Sequence, residues 1–282
     1  MEWRGRRGSN NIEDRRRTSG ARVGGVGGVG LIAVLLIGYF LGIDVTPLLN
    51  DPGSTSPGGA QIELTAEDEA AGQFVSVTLA DTEEVWTKVF QEQLGRPYRP
   101  ATLVLFKDAT RSGCGGASEA TGPFYCPQDR KIYLDTSFFV TLERRLGAKG
   151  DFAAAYVVAH EIGHHVQNEL GILGKANTLR QQVSQAESNE ISVRIELQAD
   201  CLSGIWAREA SQTLGTIERG DLEEAVNAAR QIGDDTLQAN AGQRPMPHTF
   251  THGTSEQRSR WFQTGLQSGD LQACDTFGTD QL

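Results

Sequence analysis

Residues 160 to 164 read His-Glu-Ile-Gly-His, and this spacing constrains the chain more than any other stretch. On an α-helix, residues i and i+4 share a face. His160 and His164 can therefore aim two imidazoles at one metal ion, with Glu161 beside it as a base. The lead-in from Ala153 to Ala159 is apolar, so the helix that carries the motif belongs in a core. An H-E-x-x-H so placed is the centre of a zinc-dependent peptidase.

A catalytic zinc usually takes three protein ligands and keeps a fourth position for water, so a third donor must come from elsewhere. Glu196 is placed for it, 32 residues after His164, in Glu196-Leu-Gln-Ala-Asp200. Glu196 and Asp200 are again i and i+4. The glutamate is read as the third ligand, and Asp200 as the acceptor that takes the ring N–H of a ligand histidine and fixes its tautomer. Ala199 and the alanines at 153 to 155 let the two helices approach. These residues predict one Zn2+ per chain, with Glu161 taking a proton from the attacking water and passing it to the leaving amine of a peptide or protein substrate.

The oxyanion of such a reaction needs a further donor, and the chain has only five histidines. His252, just ahead of a helix start, is expected to enter the site from a loop. Arg258 is expected either to orient it or to hold Asp200. His165 is turned about 100° from His164 on the helix and is read as packing or support. His248 is a weaker version of the His252 idea. Two other classes stay open: a catalytically silent metal-binding scaffold or regulator at the membrane, and an amidase acting on cell-wall material.

Charge is spread unevenly. The net charge is −10, yet residues 1 to 43 hold seven arginines (Arg4, Arg6, Arg7, Arg15, Arg16, Arg17, Arg22) against Glu2, Glu13 and Asp14, leaving −14 for the rest. So acidic a body is not expected to bind nucleic acid, which draws its affinity from cations. Val23 to Ile43 is a 21-residue run with no charged side chain, long enough to span a bilayer. With all seven arginines before it, the positive-inside rule predicts a single-pass cell-membrane protein. Residues 1–22 become a basic cytoplasmic arm, 23–43 a transmembrane helix, 44–61 a flexible linker, and 62–282 a catalytic domain on the periplasmic or extracellular side. Gly24-x-x-x-Gly28 and Gly38-x-x-x-Gly42 offer a surface for helix-mediated self-association. The match of Gly25, Gly27 and Gly30 to a dinucleotide-binding pattern is discarded, because no strand precedes it.

Within the body, helices are predicted from Asp81 to Leu94, Ser137 to Leu146, an Asp151-capped stretch to about Gly171, Thr178 to Glu187, Glu190 to Gln212, Asp221 to Ile232, and Ser255 to Leu266. The last has a capping box at Thr254 and Gln257. Ala101 to Phe106 and Lys131 to Leu134 read as strands flanking a Gly-rich loop, and the second is a candidate to pair with an extended substrate. The result is an α+β domain, a small β-sheet followed by a mostly helical catalytic half. Four cysteines allow three pairings; Cys114 with Cys126 and Cys201 with Cys274 is preferred, the first closing the Gly-rich loop and the second tying the tail to the catalytic region.

Taken together, the chain resembles the bacterial neutral zinc metallopeptidase family (YpfJ-type). The likeness runs from the Arg-rich opening, Met1 to Arg15, through Phe74 to Glu83 and Phe124-Tyr-Cys-Pro127. It continues in His160-Glu-Ile-Gly-His-His-Val-Gln167, Glu196-Leu-Gln-Ala-Asp-Cys201 and His252-Gly-Thr-Ser-Glu-Gln-Arg258. The resemblance implies a membrane-anchored zincin-like fold. It also implies likeness to the gluzincin group, with Glu196 as third ligand and His252 as the late histidine that assists the intermediate.

Overall fold

In the computed structural model, residues 1–17, 63–118, 121–144 and 147–282 are described. The expectations for 23–43 and 44–61 therefore lie outside the described residues.

The first long helix starts at a capping box. Thr65 accepts the Asp68 N–H, and the Asp68 carboxyl accepts the Thr65 N–H in return. Helix α1 thus runs Ala66–Val89, fifteen residues earlier than the apolar spacing after Asp81 predicts, and closes in a π turn before left-handed Gly95. The expected strands form as β2 (Thr102–Phe106) and β6 (Lys131–Asp135). The Gly-rich stretch between them is more ordered than read. It holds a hairpin, β3 (Ala109–Ser112) with β4 (Gly115–Ser118), and a short strand β5 (Phe124–Cys126).

Among the described residues, four strands form the main sheet in the order β1-β2-β6-β5, where β1 is Ile12–Asp14. β1, β2 and β6 are parallel, and β5 runs antiparallel to β6. Lys131 to Leu134 therefore cannot receive a substrate strand, since β2 and β5 already occupy both its edges. On that side of the sheet the edge strand is β5.

The helical half comprises α2 (Phe138–Arg144), α3 (Asp151–Glu169), α4 (Ile172–Arg180), α5 (Gln185–Glu209), α6 (Asp221–Gln231), α7 (Asp234–Asn240) and α8 (Ser255–Ser268). A capping box at Ser184 and Glu187 starts α5, so the chain breaks there and not at Glu190 as expected. Asp151 opens α3 without capping it; its carboxylate lies 2.9 Å from the Met1 ammonium. The box at Thr254 and Gln257 forms as predicted. Both disulfides join the preferred pairs, with Cα separations of 5.8 and 5.6 Å. Phe152, Tyr156, Trp86 and Trp206 fill the core between the sheet and the helices. The architecture is α+β.

Residues 1–17 belong to this body. The Asn11 carbonyl accepts the Leu103 N–H, and the Arg15 N–H reaches the Leu105 carbonyl, so the arm supplies an edge strand. Met1 and Trp3 are buried, and Trp3 packs edge-on against Phe74. Three of the arm's arginines reach the acidic body: Arg6 pairs with Asp81, Arg17 with Glu69, and Arg16, held by Asp14 of the arm, donates to the Asp68 carbonyl. Gly72 makes room for Arg16, whose guanidinium would lie about 2.6 Å from any Cβ there.

The expected single-pass placement is overturned on this ground. An arm in the cytoplasm and a body outside cannot share one sheet. Among the described residues, no helix is long and apolar enough to cross a membrane. Arg6, Arg15, Arg16 and Arg17 of the arm are each matched to a carboxylate of their own chain.

Candidate metal centre

The site exists because α3 and α5 cross closely. A Cβ at Gly163 would lie 2.9 Å from the Ala199 carbonyl oxygen and 3.3 Å from its Cβ, so glycine is what lets the backbones meet. Gly265 of α8 likewise sits against the Cys201 carbonyl, which brings Arg258 over α5. The expected close approach is present, with Gly163 as the residue that faces Ala199.

His160 and His164 from α3 then face Glu196 from α5. His160 Nε2 is 3.1 Å from Glu196 Oε2, and His164 Nε2 is 3.5 Å from Glu196 Oε1. Tetrahedral ligands at roughly 2.1 Å from a zinc ion are separated by roughly 3.4 Å, so this set of two imidazoles and one carboxylate fits such an ion. Each histidine uses its other nitrogen to hold its ring: His160 Nδ1 donates to Asp200 Oδ1 at 2.8 Å, and His164 Nδ1 to Gln167 Oε1 at 2.9 Å.

Asp200 is completely buried and collects four donors. Besides His160, it accepts Tyr156 Oη at 2.5 Å and both Nε and Nη2 of Arg258 at 2.9 and 3.0 Å. Arg258 thus holds Asp200 and not His252, which decides between its two expected roles. Burial alone would raise the Asp200 carboxyl, but Arg258 and His160 hold it below its usual range. Burial also opposes charge on His160, yet Asp200 and Glu196 outweigh it and raise the imidazole to about 10. Glu196 is held well below the usual carboxylate range, its burial being overcome by His164 and His160.

Glu161 differs from all of these. Burial pushes its carboxyl up; the Tyr125 backbone N–H meets the carboxyl from β5, and Oε2 is buried without a partner among the described residues. A buried, half-satisfied carboxyl costs stability and serves no packing purpose.

His252 reaches the same cavity from the loop before α8, as expected. Its anchor is Asp234, which the sequence reading missed. Asp234 Oδ2 accepts the backbone N–H groups of Thr251, His252 and Gly253 at 2.7, 2.6 and 3.1 Å, and Oδ1 lies 3.2 Å from His252 Nδ1. Burial works against the His252 cation, but Asp234 raises it above the ordinary histidine range. Only the position after Gly233 at a helix start hints at Asp234 in sequence. His248 is exposed; its carbonyl accepts Asn189 Nδ2 at 3.0 Å, and it does not line the cavity.

His165 supports the wall, not the metal. Its Nε2–H donates to the Arg99 carbonyl at 2.7 Å, and its Nδ1 accepts the Tyr125 hydroxyl at 3.1 Å. Burial pulls it down to about 4. As pH falls, the unfolded chain takes up this proton first, near 6.5, so stability is full above 6.5 and declines towards 4. Urea unfolding at pH 7 and pH 4.5 is expected to show a loss of roughly 2 kcal/mol from this group. His165→Phe should lack that part of the pH dependence, and an unchanged pH slope would refute it.

The cavity above these groups measures about 480 Å³ and is lined among others by Phe124, Tyr125, Phe138, Leu173 and Leu237. Fold and site together define an α+β protein with two histidines and a glutamate converging from two crossing helices, and a buried glutamate at the edge of that donor set. The chain belongs to the family described as "Putative neutral zinc metallopeptidase", whose model matches residues 1–277, the arm included. It is 47% identical over 287 residues to "Uncharacterized protein YpfJ" of Escherichia coli K12, covering 99% of both chains. It is also 42% identical over 222 residues to "Uncharacterized protein Rv2575" of Mycobacterium tuberculosis H37Rv, covering 75% of this chain and 74% of that one. No solved structure matches at a significant level.

Proposed function

We propose that the chain is a zinc-dependent peptidase in which His160, His164 and Glu196 hold one Zn2+ and Glu161 moves the proton. The observation that carries this is Glu161 Oε2, buried and unpartnered beside a donor set of zinc dimensions. A zinc ion there would supply a Lewis acid that polarises a carbonyl and acidifies water. Glu161, whose carboxyl burial pushes above its usual range, is suited to take a proton from water and release it to an amine. Its Tyr125 N–H contact holds the carboxyl in the wall of the cavity that Glu161 lines.

His252, steadied through Nδ1 by Asp234, presents a donor to the developing oxyanion. Arg258 and Tyr156 hold Asp200, and Asp200 holds His160. An extended peptide would lie along β5, the edge strand, between its aromatic residues and the helical wall.

The test is cleavage of a proteome-derived peptide mixture by the full-length protein, with and without a zinc chelator. Cuts that vanish on chelation and return with added zinc are expected. An absence of cuts from a chain carrying stoichiometric zinc would count against a peptidase.

A further inference from the structure

Resting on the metal reading above, we infer that Gln167 is a positioning residue that sets the tautomer and tilt of His164. Gln167 follows His164 by three residues on α3 and is wholly buried. Its Oε1 faces His164 Nδ1 at 2.9 Å. Its Nε2 donates to the Ile195 carbonyl at 2.8 Å and to Gln198 Oε1 at 3.0 Å. Gln198 in turn donates to the Cys274 carbonyl at 2.9 Å, and Cys274 is bonded to Cys201 of α5.

This network leaves the amide one orientation. The Ile195 carbonyl can only accept, so the NH2 of Gln167 must face it, and Oε1 must face His164. A flipped amide would set its oxygen against a carbonyl and its NH2 against the ring N–H. With Oε1 fixed as acceptor, Nδ1 of His164 keeps a proton, which leaves Nε2, the nitrogen facing Glu196, as the one available to a metal. The backbone carbonyl that imposes this belongs to Ile195, the neighbour of Glu196. The helix that supplies one ligand thus dictates, through Gln167, the protonation of another. His160 gets the same service from a charged acceptor, Asp200, whose charge Arg258 balances.

The test compares Gln167→Leu with Gln167→Glu in the full chain. Both lose the amide donors to Ile195 and Gln198, but only the glutamate keeps an acceptor for His164. Zinc affinity by chelator competition should fall by about 10- to 100-fold in Gln167→Leu, the usual effect of removing a residue that holds a ligand histidine. Gln167→Glu should stay within roughly threefold of wild type, and only the leucine variant should alter the visible spectrum of the cobalt-substituted protein.

Equal losses in both variants, or none in Gln167→Leu, would overturn the assignment. A second readout separates it from the metal reading. In the metal-free protein, the His164 ring 15N shifts should move in Gln167→Leu relative to wild type. If wild type binds no zinc, the metal reading fails, and these shifts alone decide Gln167: a shift supports its role and unchanged rings refute it.

Discussion

Glu161→Gln should keep its zinc and lose turnover by about 10²- to 10⁴-fold, the usual contribution of a positioned acid–base group. Glutamine is isosteric, retains an oxygen for the Tyr125 N–H, and lies outside the donor set, so nothing in its geometry disturbs His160, His164 or Glu196. Glu196→Ala should do the reverse and lose the metal itself, because two imidazoles alone make an incomplete site. Metal analysis of both purified variants, beside peptide cleavage, separates the roles. Full zinc occupancy in Glu196→Ala would move the third ligand elsewhere. Asp200 is a poor substitute, since His160, Tyr156 and Arg258 already hold its oxygens. His252, facing the same cavity, would be next in line.

The parts of this centre that sequence reveals are those written at helical spacing. His160 with His164, and Glu196 with Asp200, are each one turn apart, and a single crossing of α3 over α5 makes a donor set of them. The capping box at Thr254 was equally legible, being local. What could not be read depends on tertiary contacts. Asp234 holds His252 only because the loop from 251 to 253 folds over the start of α7. Gln167 was visible as a residue of the motif, but its task depends on a carbonyl of α5. Arg258 had two candidate partners in sequence, and the glycine-mediated approach of α8 to α5 chose Asp200. The β5 edge was hidden in a stretch that composition marks as loop. Three residues are too few for a periodicity to show.

The N-terminal arm is where composition misled, and it yields the prediction that most separates the structure from the sequence reading. A chain beginning at residue 18 should be far less stable in urea than the full chain. Removing the arm deletes β1 and leaves the β2 edge unpaired at Leu103 and Leu105, where each lost hydrogen bond costs about 1 kcal/mol net. The buried side chains of Met1 and Trp3 go with it, each worth roughly 2 kcal/mol of apolar burial. It also strands Asp81, 2% exposed, without Arg6. Arg6→Met alone should cost about 3 kcal/mol, because breaking a buried pair leaves its partner uncompensated. Added together, these losses approach the 5–15 kcal/mol that typically holds a domain folded. A synthetic peptide of residues 1–17 should restore part of the loss in trans, since parallel pairing to β2 and the Arg6–Asp81 contact need no covalent link. If the shortened chain unfolds at the same urea concentration as the full one, the arm is not part of the fold. The Arg6–Asp81 and β1–β2 contacts would then carry none of its stability.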